Sequence, residues 1–464
     1  MNSTVTSRPG ATLAVTAGGT LLAMTAFTAP LSIVPSLTRH LGATPVAASW
    51  VLSSMSLGLA VALLVSGAVG DEIGRRRVFV AGAALLAVGS AACAAAPEAW
   101  TFVAGRVLQG VGAAAVISCG LGIIGYTFPA TADRARATGV WGACMGAGPA
   151  LGPLLGSVLD AAASWRWAYV ALTVLAGALA VAAGALLVES RSGRGRRVDA
   201  TGALLLAAGT GCLLAALTGS RQGWSGAVPV LLAGAVVGLV AFFAHQARVR
   251  EPMLELGLFR RPALVSATFA AFVTGAGIIA LMSFVSTVLE SGLEHSAVVA
   301  AVIVLAWSVV SAGTSLLARR IPLRFSGAAR LATGMLVTAA GLVPLAVLTT
   351  ATPVGQLVAG LMVAGVGTGL MNATLAREAV ASVPPASAGA GSGINNASRY
   401  IGAAFGVTVV TALAGSPAGL VAGWNLAVLT GIALCVVGAA VVLTVQRAEA
   451  RWTPPVGVPG AVAP

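Results

Sequence analysis

Apolar residues run along this chain in blocks of about 20, broken by short clusters of arginine, proline, glycine and acidic residues. A helix that crosses a bilayer needs about 20 mostly apolar residues. Dividing the chain at its breaks predicts helices near 13–35, 46–69, 77–96, 100–125, 137–159, 167–189, 200–218, 227–246, 263–289, 297–318, 328–349, 354–375, 390–413 and 423–446.

Composition turns this pattern into a class. With 58% hydrophobic residues, 8% charged residues and a mean hydropathy of +0.96, too few polar side chains exist to cover a water-soluble surface. The chain is therefore expected to be an all-α integral membrane protein, and the same numbers exclude a disordered one. The net charge of +13 would suggest nucleic acid in a soluble protein, but the basic residues stand in short clusters between apolar blocks. They read as topology signals, and no nucleic-acid partner is expected.

With the N-terminus inside, 21 of the 26 basic residues fall on the inner side. Arg39, Arg166 and Arg221 fall outside, and Arg106 and Arg399 within spans. That asymmetry puts both termini, the tails 1–12 and 447–464, in the cytoplasm, with the cytoplasmic membrane as the expected location. Trp50, Trp100, Trp165, Trp167, Trp224 and Trp424 come near outer ends, as an interfacial belt would.

Cys93, Cys119, Cys144, Cys212 and Cys435 lie in apolar blocks without close spacing, so neither disulfides nor a metal site is expected. His40, His245 and His295 are equally scattered. All basic residues are arginine, which excludes a phosphate-binding loop ending in Lys and so argues against an ATP-driven pump. No cofactor, and no enzymatic cluster of nucleophile, base or metal ligands, is indicated.

The chain also repeats itself. Gly105, Gly110 and Gly112 of the fourth block map onto Gly360, Gly365 and Gly367 of the twelfth at one offset. Gly139, Gly148 and Gly152 of the fifth map onto Gly393, Gly402 and Gly406 of the thirteenth. A fourth block matching a twelfth requires two six-helix bundles (13–189 and 263–446) with two additional helices in the linker 190–262. Such parallel repeats are related by an axis along the membrane normal, with the transport path between them.

Four motifs stand on this frame. The loop GAVGDEIGRRR, residues 67–77, sets Asp71 and Gly74 beside Arg75, Arg76 and Arg77, an acid at a helix end that can pair with arginines in one conformation and release them in another. The fourth span holds GRVLQGVGAAA, with Arg106 and Gln109. An arginine at that depth needs a carboxylate, carbonyls or water, or must snorkel to the outer surface. The fifth reads GVWGACMGAGPALGPLLG, whose Gly142, Gly146, Gly148, Gly152 and Gly156 allow close helix approach while Pro149 and Pro153 bend it. The thirteenth reads SGINNASRYIGAAFG, with Asn395, Asn396 and Arg399 facing a cavity or helix, unless Arg399 merely lies at the cytoplasmic interface.

Together these motifs resemble the major facilitator superfamily, specifically its fourteen-span drug:proton antiporter group, over nearly the whole chain. The resemblance implies gating by Asp71, Gly74 and Arg75 to Arg77, and a coupling or substrate path through Arg106, Gln109, Asn395, Asn396 and Arg399. It also implies an antiporter helix contact at the fifth-span glycines and Pro149. A monomer exporting small amphiphilic molecules such as antibiotics, with protons as coupling ion and lipid as surroundings, is the expectation. Two departures matter. Ala26 stands where the group usually has an aspartate, and Met55 where it has a tyrosine. No acid lies deep in a predicted span, and Glu290 is the substitute by position. A facilitator, a narrow-substrate carrier without proton coupling, or a non-transporting sensor are the alternatives.

Overall fold

In a computed structural model the described residues are 9–191, 199–220, 226–252, 254–320, 325–415, 417 and 419–451. Arg8, Arg194, Arg196, Arg197, Arg221, Trp224 and Arg324 lie outside them, with most of both predicted tails. The fold is all-helical. Thirteen helices among the described residues are long and apolar enough to cross a membrane, and a further helix, Ala297–Leu317, is apolar over the shorter stretch Val302–Leu317.

The first bundle comprises α1 (Pro9–Ser32), α2 (Pro45–Ile73), α3 (Arg75–Ala95), α4 (Ala99–Thr127), α5 (Thr131–Ala162) and α6 (Arg166–Leu186). Next come α7 (Ala200–Ser220) and α8 (Ala227–Arg248). The second bundle comprises α9 (Pro262–Gly292), α10 (Ala297–Leu317), α11 (Gly327–Ala346), α12 (Val354–Ala381), α13 (Ala388–Ala414) and α14 (Leu420–Arg451).

Local chemistry sets the ends. The Thr44, Ser296 and Ser326 side chains each accept the N–H three residues on, capping α2, α10 and α11. Pro30 cannot donate, so the last turn of α1 tightens to a 3₁₀ turn over Ala29–Ser32. Several helices extend past the apolar blocks because polar residues continue them, as α5 does over Thr131–Ala162. Hydropathy does not register those turns.

Glycines fix the packing, and they do so twice. A Cβ at Gly105 would come 3.0 Å from the Gly89 carbonyl and one at Gly112 2.5 Å from that of Gly82, both on α3. In the second bundle Gly360 and Gly367 press in the same way on Gly341 and Gly334 of α11. The middle glycine of each triplet faces the other way: Gly110 approaches Gly58 of α2, and Gly365 approaches Trp307 of α10. Small residues let these backbones meet, as is usual in membrane helices.

The second glycine set shows how the bundles join. Gly139 of α5 faces the Ser315 carbonyl of α10, and Gly393 of α13 faces the Leu63 carbonyl of α2, so each helix reaches across to the other bundle. Further along, Gly148 and Gly152 face Met24 and Thr25 of α1, while Gly402 and Gly406 face Phe272 and Ala276 of α9. There each helix rests on its own bundle. A π-helical segment over Thr274–Ile279 widens α9 where Gly275 and Ala276 meet α13. The α7–α8 pair lies on the seam between bundles, where Leu206 and Phe242 pack in one core with Leu64 of α2 and Ile394 of α13.

The aromatic belt is only half present. Trp100 and Trp167 are exposed, but Trp165 and Trp424 are buried. Trp165 stacks edge-on with Phe102 and Tyr169 and lies under the Arg166 guanidinium, and the Trp424 indole N–H donates to the Leu345 carbonyl at 3.1 Å. An indole near a helix end packs inward when a neighbouring helix supplies aromatic or carbonyl partners.

Candidate functional site

At the arginine-rich end a buried ion pair joins the two bundles. Asp71, in the last turn of α2, accepts the Arg75 Nε–H at 2.7 Å, and both side chains are almost fully buried. The same carboxylate accepts the backbone N–H of Gly389 at 3.0 Å and of Ala390 at 2.8 Å, two donors in the first turn of α13 that have no partner within the helix. Arg75 in turn donates to the Pro385 carbonyl at 2.9 Å. Gly389 is required here, because a Cβ would sit 2.6 Å from both Asp71 Oδ1 and the Gly67 carbonyl.

Glu189 completes this end on its other side. Its carboxylate accepts the Arg76 N–H at 3.0 Å and lies 3.7 Å from Arg77 Nε, while the Arg76 guanidinium donates to the Gly184 carbonyl. Gly74 turns the chain between α2 and α3 at φ +123°, and a Cβ there would meet the Glu189 carboxylate at 2.6 Å. The five signature residues are thus brought together. Their partners Glu189, Pro385, Gly389 and Ala390 went unread, and the glycine run opening the thirteenth block was the available signal.

Arg106 is fully buried and does not snorkel. It donates to the Ala26 carbonyl at 2.6 Å, the Phe27 carbonyl at 2.9 Å and Gln109 Oε1 at 3.0 Å. The Ala26 carbonyl is free because its helical donor would be the nitrogen of Pro30, which carries no hydrogen. Gln109 is held by its own donation to Ser90 Oγ at 2.7 Å. Arginine therefore binds the backbone of the very residue that lacks the acid.

Arg399 lies well inside α13 and is equally buried. Its Nη1 donates to Asn372 Oδ1 of α12 at 3.2 Å. Asn395 donates to the Ala267 carbonyl at 3.1 Å and Asn396 to that of Ser392 at 3.0 Å, so both asparagines serve helix packing and intrahelical bonding. Next along, Tyr400 reaches across the bundle interface, its ring 5.9 Å from that of Phe27 and its hydroxyl 3.3 Å from the Met24 sulfur.

The α5 glycines divide between two partners. Gly142 and Gly146 face the Ser315 and Ser311 hydroxyls of α10, whereas Gly148, Gly152 and Gly156 face α1. Pro149 and Pro153 interrupt the hydrogen-bond ladder between, and the Ser32 hydroxyl takes up the Pro153 carbonyl at 2.8 Å. Glu290 is exposed in the last turn of α9 and makes no ion pair among the described residues. It does not join the arginines.

Residues 16–407 match the model of the Major Facilitator Superfamily. The chain belongs to that superfamily. Puromycin resistance protein pur8 of Streptomyces alboniger is 30% identical over 387 residues, covering 81% of this chain and 76% of the relative. Cephamycin export protein CmcT of Amycolatopsis lactamdurans is 31% identical over 439 residues, covering 91% of this chain and 89% of the relative. The proton:xylose symporter XylE, a solved major facilitator, superposes with a TM-score of 0.70 at 15% identity over 96% of this chain and 99% of its own, a likeness of fold alone. This chain is accordingly a multi-pass membrane transporter of the superfamily.

Proposed function

We propose that this transporter exports small amphiphilic molecules, antibiotics or related metabolites, across the cytoplasmic membrane by alternating access, as a monomer with both termini in the cytoplasm. One observation carries the reading: the bundles meet at the arginine-rich end through a charged joint, Asp71 on the first turn of α13 and Arg75 on the Pro385 carbonyl just before it. Such a joint opens without unfolding either bundle. Relatives named for puromycin resistance and cephamycin export support the outward direction.

Coupling has two readings. Proton antiport is what the family resemblance implies. Every described Asp and Glu, however, stands in a loop or within a turn of a helix end, and this favours a carrier without a proton-binding acid in its path. The test is retention of dyes and antibiotics in efflux-deficient cells making the protein, with nigericin to abolish the pH gradient or valinomycin with potassium to abolish the potential. Lower retention that nigericin restores supports antiport. Restoration by valinomycin supports a potential-driven carrier, and unchanged retention for every compound refutes broad export.

A further inference from the structure

We infer that the cargo is an organic anion, recognised by Arg399 and Arg106 and driven outward by the membrane potential. The inference rests on the export reading and narrows its substrate class.

Two permanent cations lie in the membrane interior, and neither has a carboxylate within ion-pair distance among the described residues. Arginine keeps its proton in proteins, so neither can shed its charge. A buried charge left unpaired is strongly unfavourable, and intramembrane arginines normally find an acid or a polar cavity. Arg106 is partly satisfied by two carbonyls and Gln109, yet its Nε–H has no acceptor among the described residues. Arg399 is poorer still: Asn372 is its one hydrogen-bond partner among the described residues, and its Nε–H is also unmet.

Arg106 is hydrogen-bonded to the backbone of Phe27 and Arg399 is the chain neighbour of Tyr400, so both lie near one contact between the bundles. Phe27, whose carbonyl holds Arg106, packs edge-on against Tyr400, the neighbour of Arg399, and the Met24 sulfur lies 3.3 Å from the Tyr400 hydroxyl. Apolar and aromatic surface next to unmet guanidinium donors suits an amphiphile ending in a carboxylate, sulfonate or acidic phenol. A cation entering the same place meets two like charges in low dielectric. The anion also has a driving force of its own, since 100 mV of inside-negative potential is worth about 2.3 kcal/mol per charge, or about 50-fold in concentration. Export then needs no titrating acid.

The experiment uses the full-length protein in phosphatidylcholine vesicles loaded with 8-anilinonaphthalene-1-sulfonate, a permanent monoanion, or with ethidium, a permanent cation. Valinomycin and a potassium gradient set a potential of about 100 mV, negative on the loaded side. The sulfonate leaves at least tenfold faster than from protein-free vesicles, faster with the potential than without, and indifferently to a pH gradient. Ethidium stays. Arg399→Gln lowers the flux at least tenfold, while Arg399→Lys, which keeps the charge and controls for folding, keeps the anion preference. Ethidium efflux without sulfonate efflux overturns the anion assignment but leaves export standing. So does sulfonate efflux undiminished in Arg399→Gln as regards the role of that residue. Absence of flux for both probes overturns export as well.

Discussion

Replacing Asp71 by Asn removes one charge and changes little else, which makes it a measure of what the joint contributes. Asp71 uses both carboxylate oxygens on α13 and also holds Arg75. Asparagine keeps one accepting oxygen and turns an NH₂ toward either a backbone N–H or the guanidinium, donor against donor. The loss comprises one hydrogen bond to a charged group, about 1.5–3 kcal/mol, and the carboxylate's interaction with the helix N-terminus, about 0.3–1 kcal/mol. The sum, about 2–4 kcal/mol, shifts the closed-to-open ratio at the arginine-rich end by about 30- to 900-fold. Spin labels at Arg136 of α5 and Arg260 before α9, both exposed, report that opening by pulsed electron resonance once the native cysteines are replaced. A new long-distance population in Asp71→Asn, with transport strongly reduced, is expected. Unchanged distances together with unchanged transport would refute the joint as a gate.

Gly389→Ala should reproduce that phenotype, since the added methyl meets Asp71 and Gly67, and the same distance measurement checks it. Gly74→Ala combines a positive φ with a clash against Glu189, and about 1–3 kcal/mol of backbone strain should lower the thermal unfolding midpoint of the purified protein. Ala26→Asp puts an acid beside Arg106, so sulfonate efflux should fall at least tenfold and become sensitive to a pH gradient; equal flux in both proteins would show that the charge of Arg106 does not select cargo. Outside the membrane, burial pushes the Asp199 carboxyl up, but hydrogen bonds from the Gly202 N–H, His245 and Gln246 bring it below its ordinary value of 3.8. A depressed carboxyl stabilises the fold above its unfolded pKa and loses that contribution as pH falls through the lowered one. The unfolding-midpoint difference between wild type and Asp199→Asn should accordingly be full at pH 7 and shrink as pH falls below about 4.

Long-range hydropathy and the glycine repeat carried the fold, because a membrane span has a length and a bundle contact has a size limit, and both leave periodic marks on one chain. The Asp71 signature was legible for the same reason: Gly74 and the arginines are local. Its other half was not, since the donors are backbone amides of Gly389 and Ala390, and an amide has no letter of its own. The Ala26 carbonyl that receives Arg106 is freed by Pro30 four residues later, a local fact, but its approach to α4 is tertiary. Trp165 and Trp424 misled because amphipathic residues near helix ends suit either lipid headgroups or a neighbouring helix, and only packing decides between them.

The glycine contacts of α5 and α13 bear on how such a carrier changes cargo. At Gly139, and at Gly393, Gly402 and Gly406, the helices meet main chain first, while Gly148 and Gly152 also meet the Met24 and Thr28 side chains. Main chain is common to all sequences, so the path of the rocking motion is independent of the side chains that meet the substrate. Substitutions around Phe27, Arg399 and Tyr400 can then rewrite what is carried while the machinery that moves it is inherited intact. A cell acquiring resistance to a new compound needs to alter the passenger seat and can leave the axle alone.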